Sequence, residues 1–406
     1  MGQRRIVESL FLLGCCEFLF TATLSIGNTL TGIVGATLTT NKALVTLPYA
    51  AMTLLTALAT VAASLLMRRT GRRTGFLIGG VACLFGGAVA VAAIYVGDFI
   101  LFCVGYGLIG VFKAFAQYYR FAAAEVTTDG DQVLKARAIS LVFIGCFVAA
   151  LVGPQIGTAV RGAVPWLPFA GSFVTIAAMG GVTALIALLL RLPEETSIAR
   201  VQSDTGRPLR VIARQPAFIA AVASCTIGYA VMAFVMAASP IAVVGFGYPV
   251  TDAAFVMQMH LAGMYGPSFF TGRVIARLGV RKTIAAGVAL LLLCSVVALS
   301  GTSTAHFAVA LFLCGLGWNW MYIGGTTLLT ETYRPEERAK AQACNEFVMF
   351  AAVTVMSLAT GVVLRDYGWD GIQYAAMPLL IVALAIVGWS GSRWSQGWSP
   401  LKRAPV

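Results

Sequence analysis

Apolar residues run along this chain in long stretches with neither strand-like alternation nor the regular polar face of a surface helix. A hydrocarbon core of roughly 30 Å is crossed by about 20 residues rising 1.5 Å each. On that measure the pattern predicts twelve membrane-crossing segments, over 7–30, 43–67, 75–96, 99–122, 138–160 and 168–190, then 216–240, 253–276, 282–300, 305–329, 341–364 and 371–391. Transmembrane strands would alternate polar and apolar residues, so a barrel is excluded. Polar residues collect in one long stretch, Arg191 to Arg214, with eight charged residues and two prolines close to the chain's midpoint. It reads as a linker, 191–215, between an N-terminal half, 1–190, and a C-terminal half, 216–406. The function is expected where the halves face each other.

Composition strengthens this reading. Hydrophobic residues make up 59% of the 406 and charged residues 11%, which suits lipid as the solvent. The class is an all-α membrane protein. The formal charge of +12 invites a nucleic-acid reading until the basic residues are placed. With the N-terminus inside, 23 of the 28 fall on cytoplasmic connections and 3, Lys42, Arg161 and Arg365, on the opposite side. That bias requires an even number of crossings with both termini cytoplasmic, and it removes nucleic acid as a partner. The nine cysteines contain no C-x-x-C pair and there are two histidines, so the chemistry implies packing thiols rather than a metal site. The N-terminus resembles a signal peptide, but its apolar run carries Glu17 and lacks a small-residue cleavage site. It is expected to remain as the first helix. No G-x-x-x-x-G-K-[ST] string points to ATP, and no nucleophile–base set or carboxylate pair points to an enzyme; no cofactor is implied.

Two strings repeat across the halves: SLLMRRTGRRTGF (64–76) and GRVIARLGVRKTI (272–284), whose central glycines Gly71 and Gly279 are 208 residues apart. Each marks a tight turn rimmed by arginines. These strings resemble the loop pattern G-x-L-x-D-x-x-G-R-K of the major facilitator superfamily. The second copy matches at Gly272, Gly279 and Arg281, the first at Leu66, Gly71, Arg72 and Arg73, with Ser64 for the leading glycine and Arg68 for the acid. The resemblance spans essentially the whole chain. It implies two pseudo-symmetric six-helix bundles, a substrate site at the midplane between them, and alternating access in a bacterial inner (plasma) membrane, with the protein a monomer. ALVGPQIG (150–157) is similar to an element of drug:proton antiporters, although Tyr106 stands where they usually carry an arginine. YYRFAAAEV (118–126) and GGTTLLTETYRPEERAKAQACNEF (324–347) resemble a bacterial riboflavin-uptake subgroup. Import of a vitamin and export of amphipathic drugs are therefore rivals, beside a membrane sensor that binds ligand without moving it.

Polar residues inside apolar helices mark the candidate site, because each costs free energy unless it faces water or a partner. In the first segment Glu17, Thr21, Ser25 and Asn28 share one helical face, with Glu17 roughly 15 Å deep. Glu17 is the candidate proton carrier; its alternative is a static ion pair. The fourth segment carries Tyr106, Lys113, Gln117 and Arg120. Resemblance to the superfamily makes these two segments neighbours, so Glu17 and Lys113 are expected to interact. The alternative for Lys113 is snorkelling to the cytoplasmic interface, where Arg120 is expected to sit. Trp318, Asn319 and Trp320 lie near the middle of the tenth segment. A flat aromatic ligand would stack there with Asn319 reading its edge, the alternative being plain packing. Tyr229, with Met232 and Met236, forms a weaker candidate face, and His260 reads as structural. Arg68, Gly71 and Arg72 form the first loop turn. Arg68 and Glu346 are the expected inner gate, unless both are simply solvated. The expected partners are a small molecule with an aromatic part, protons and the lipid bilayer.

Overall fold

In lipid, every backbone N–H and C=O must be satisfied within its own segment or a closed sheet, and long apolar runs meet that demand as helices. A computed structural model describes residues 3–126, 132–190, 192 and 206–394. These residues form helices and 3₁₀ turns, with no strand among them. In chain order the helices are α1 (Gln3–Leu38), α2 (Leu47–Thr70), α3 (Arg72–Val96), α4 (Phe99–Ala116), α5 (Tyr119–Val126), α6 (Gln132–Ala159) and α7 (Ala170–Leu189). After the polar stretch come α8 (Leu209–Ala213), α9 (Pro216–Gly245), α10 (Val250–Tyr265), α11 (Ser268–Leu278), α12 (Val280–Ser300), α13 (Thr304–Thr330) and α14 (Arg338–Trp394). Among the described residues, nine stretches are long and apolar enough to cross a membrane. The protein is a multi-pass membrane protein. Most of the expected linker, 191–215, lies outside the described residues.

Four expected segments depart from a single straight helix. The fourth is split: after α4 the chain tightens, with the Tyr118 amide donating to the Phe115 carbonyl at 3.1 Å, and restarts as α5. The eighth is split between α10 and α11 at Gly266-Pro267, because proline brings no N–H to the helical ladder. The eleventh and twelfth run together as α14, turned at Gly368 by a left-handed φ of 67°.

Small residues set the packing. Gly80 and Gly87 on α3 lie against the backbone of Ala184 and Ala177 on α7, and Gly145 and Gly153 on α6 lie against α1. Between helices in lipid, association depends on such close van der Waals approach rather than on the hydrophobic effect. The repeated loops are also matched in backbone: Gly71 has φ 82°, ψ 158° and Gly279 has φ 81°, ψ 155°. That region is open essentially to glycine alone, so the two sequence repeats encode the same turn.

Helices from before and after the polar stretch meet as α1 with α9, α2 with α14, and α6 with α10. Their closest seams lie toward the end carrying the 3₁₀ turn Lys42–Leu44. There Thr46 Oγ1 donates to the Ser357 carbonyl at 2.8 Å and accepts from the Gly361 amide at 3.1 Å. That amide and carbonyl are an i, i−4 pair of α14, so one hydroxyl from the first half is inserted into a helical ladder of the second. Gly361 also faces the Ala43 carbonyl, leaving no room for a Cβ. Gln155 Nε2 donates to Gln258 Oε1 at 3.2 Å, and a small cavity behind this seam is lined by Asn28, Thr31, Tyr49 and Met236.

Candidate functional site

The aromatic residues gather where α9, α13 and α14 adjoin. Trp318 and Tyr322 are one turn apart on α13, so their rings overlap along the helix face. They stack with centroids 5.1 Å apart and planes at 8°. Tyr229 of α9 meets Trp318 edge-on at 5.4 Å and Tyr322 at 6.0 Å, and Phe350 of α14 lies 6.3 Å from Tyr229. Each such pair contributes about 0.5–1.5 kcal/mol beyond area burial. The Trp318 indole N–H, on a side chain only 8% exposed, makes no hydrogen bond among the described residues. An unmet donor in an aromatic wall is a point where a ligand acceptor would be favoured.

Asn319 does something else, which corrects its expected ligand-reading role. It is 1% exposed and its amide donates to the Met264 carbonyl and to Ser268 Oγ, both at 2.8 Å, while Oδ1 accepts from Thr271 Oγ1 at 2.7 Å. These partners flank the proline break between α10 and α11. Asn319 caps the Met264 carbonyl beside that break, and both of its amide hydrogens are taken, leaving none for a ligand. Trp320, two residues past Trp318 and so about 200° round the helix, joins no ring contact among the described residues, and its indole N–H is buried without a partner there.

The polar face of α1 divides. Ser25 Oγ donates to the Thr21 carbonyl at 2.7 Å, and Ser25 Cβ is packed against Gly153 of α6. Thr21 and Ser25 thus serve the α1–α6 contact rather than a cavity, contrary to the expected single stripe. Asn28 turns elsewhere: the Tyr106 hydroxyl, from a fully buried ring, donates to Asn28 Oδ1 at 3.5 Å. Glu17 is half-buried.

Among the described residues, neither Glu17 nor Lys113 forms an ion pair, so the interaction expected between them, directly or through water, is not made there as a direct contact. The cation whose field reaches Glu17 is Arg120, and the same guanidinium acts on Glu346 of α14. The break after α4 explains the exchange. It redirects the chain so that Tyr119 packs on Phe20 of α1, ring centroids 6.5 Å apart, and Arg120 follows it. Gln117 sits at the break half-buried with its Nε2 unpartnered among the described residues, and Lys113 is half-buried one turn earlier. Arg120 lies on the exposed side of α5. It and Tyr322 are the functional candidates that sequence reasoning undervalued. Their signals were present: Arg120 falls three residues after Gln117, and Tyr322 four after Trp318.

Of the expected gate, Gly71 holds its turn and Arg72 opens α3. The Arg68 side chain lies outside the described residues. His260 is buried with Nδ1 3.0 Å from the Leu311 carbonyl, a packing role between α10 and α13. Among the described residues, no group of three His, Cys, Asp or Glu side chains is placed to hold a metal ion.

Comparison with known proteins gives this arrangement its context. The family model for the Major Facilitator Superfamily matches residues 10–267 and 232–393. The chain belongs to the major facilitator superfamily. It is 42% identical, over 88% of each chain, to the riboflavin transporter RfnT of Brucella anthropi. It is 25% identical to the chloramphenicol resistance protein CraA of Acinetobacter baumannii, over 36% of this chain and 34% of that one. The crystal structure of a mutant of the nucleoside transporter NupG superposes with a TM-score of 0.73 at 13% identity, covering 94% of this chain and 99% of the other, a likeness of fold. This member of the superfamily is a transporter.

Proposed function

We propose that this transporter carries riboflavin, or a closely similar flat aromatic vitamin, into the cell by proton-coupled alternating access. The observation that carries the reading is the 42% identity, over 88% of both chains, to a riboflavin transporter. The aromatic wall of Tyr229, Trp318 and Tyr322 supports it, offering stacking surface and a free indole donor suited to a flat heterocycle with carbonyl acceptors. In this reading twelve crossings form two six-helix bundles, 1–190 and 216–406, joined by the 191–215 linker. Both termini lie in the cytoplasm, and the protein works as a monomer in a bacterial inner membrane. The seam at Thr46 and Gly361 is then the outer seal. Glu17 takes the proton: while ionised it holds Arg120, and once neutral it releases that cation toward Glu346. Bundle rocking then exposes the midplane site to alternate sides. Lys113, Gln117 and Asn28 line the first bundle's share of the path, with Trp320 a secondary contact. The Arg68 loop turn through Gly71 and Arg72 flanks the inner gate.

The efflux reading has less support. The resistance-protein match covers about a third of the chain, and Tyr106 occupies the position of the antiporter arginine. Purified protein in proteoliposomes separates the readings. Counterflow of labelled riboflavin is expected, with Glu17→Gln retaining exchange and losing proton-driven accumulation. Exchange of cationic dyes without riboflavin would favour efflux, binding without exchange a sensor, and unchanged accumulation in Glu17→Gln would remove Glu17 from coupling.

A further inference from the structure

The buried carboxylate of Glu337 is used by nothing described above. It lies in the 3₁₀ turn Pro335–Glu337 that precedes α14, and its side chain is 0% exposed. All of its acceptor capacity is directed at two segments. Oε1 accepts from the Arg207 amide and from Arg207 Nε, each at 2.8 Å. Oε2 accepts from Arg207 Nη2 at 2.7 Å and from the Arg334 amide at 3.0 Å. The guanidinium also donates to the Thr332 carbonyl at 3.1 Å, and Gln215 Nε2 donates to that same oxygen at 3.0 Å. Lys340 Nζ reaches the Gly206 carbonyl at 3.4 Å, while Gly206 lies so close to Glu337 that a side chain there would collide. Residues 206–215 are thereby strapped across the turn between α13 and α14.

A planar fork gripping both carboxylate oxygens fixes direction as well as distance, which a single point charge would not do. The strap is also robust to acid. The Arg207 hydrogen bonds hold the Glu337 carboxyl down at about 2, against the opposing effect of its burial. A lowered value means the stabilisation is present above the ordinary value of 4.5 and is lost only as pH falls toward about 2. The pair therefore stays formed at any pH near neutrality and is no pH switch.

Glu346 lies nine residues beyond Glu337 on α14, so whatever sets the start of that helix sets where Glu346 stands relative to Arg120. We propose that the Arg207–Glu337 fork is a positioning clamp: it joins the end of the linker, the α13–α14 turn and the first turns of α14 into one body, so that Glu346 moves as part of the second half. Residues 206–215 then travel with that half. The gating consequence rests on the inner-gate reading above; the rigid body does not.

The test uses full-length protein with Glu337→Gln, and with Arg207→Lys, which keeps the charge and loses the fork. Amide hydrogen exchange over 206–215 and 338–347 needs no substrate. Both variants are expected to speed exchange roughly tenfold in both stretches, since loss of the fork frees two segments at once. Counterflow turnover of labelled riboflavin is expected to fall roughly tenfold with equilibrium binding unchanged, as for a residue acting on a conformational step. Faster exchange confined to 206–215 would overturn the clamp, as would wild-type exchange in Arg207→Lys. Faster exchange in both stretches with unaltered turnover would overturn its gating role. Failure of the wild type to bind riboflavin would count against the substrate reading while the exchange result still judged the clamp. Should Glu337→Gln not fold, Glu337→Asp, which keeps the charge but shortens the reach, is expected to behave as Arg207→Lys does.

Discussion

Trp318 and Asn319 are neighbours in sequence and opposites in role, because successive residues point about 100° apart round a helix. Trp318 stacks on Tyr322 with its N–H unmet, whereas the Asn319 amide is consumed beside the α10–α11 break. Their substitutions should separate cleanly. Trp318→Ala is expected to weaken riboflavin binding by about 1–3 kcal/mol, the scale of one aromatic stack, and Trp318→Phe by less, since the ring remains. Asn319→Leu should leave affinity per folded molecule unchanged and lower the thermal midpoint in detergent, its three hydrogen bonds being worth about 0.6 kcal/mol each between membrane helices. Binding titration beside thermal denaturation reads both, and a binding defect without a stability defect in Asn319→Leu would return that residue to the ligand site. Glu17 was visible in the sequence because an acid in an apolar run has few other reasons to be there. Its cation was not, because which of Lys113 and Arg120 faces it depends on how the chain turns after Ala116.

At the scale of elements, the length of the apolar runs located the helices and missed their interruptions. A proline inside an apolar run does not announce a break: Pro154, Pro240 and Pro378 lie within continuous helices, whereas Pro267 ends one. At Pro267 the surroundings differ: Asn319 reaches across from α13 to the Met264 carbonyl on one side of the break and to the Ser268 and Thr271 hydroxyls on the other. The glycine turns were legible in advance, because their left-handed backbone admits almost no other residue. Gly71→Ala and Gly279→Ala should each destabilise by about 1–3 kcal/mol, with similar losses because the two turns share one conformation. Neither glycine has a neighbour that a methyl group would strike, so the loss reports backbone strain alone. Thermal unfolding of the two variants side by side tests the equivalence; tolerance at one site and collapse at the other would break it.

Across the whole molecule, the halves are held at one end by contacts more than 300 residues apart in sequence. Thr46 occupies both the amide of Gly361 and the carbonyl of Ser357, and Thr53 Oγ1 lies 3.5 Å from Thr354 Oγ1 further along the same helices. Thr46→Val keeps the shape and removes the bridging hydroxyl, and Gly361→Leu forces the backbones apart. Both should open this end and expose Tyr49 and Thr31 behind it. A cysteine placed at Thr31 is expected to react with an impermeant maleimide from outside the cell faster in either background than alone, by roughly tenfold for a shift of about 1.4 kcal/mol in the equilibrium between open and closed ends. Unchanged labelling would mean that the seam does not seal.

Hydrophobic run length, the sided distribution of arginine and lysine, and the paired glycine loops are local properties of the chain, and each acts through a solvent or backbone constraint that needs no partner. From them the all-helical membrane class, the superfamily resemblance and the acid Glu17 inside an apolar run follow directly. The pairing of side chains is a property of distance in space. Whether Arg120 or Lys113 acts on Glu17, whether Asn319 meets a ligand or a broken helix, and where Arg207 finds Glu337 were decided by helix breaks and glycine contacts that bring remote segments within hydrogen-bonding reach.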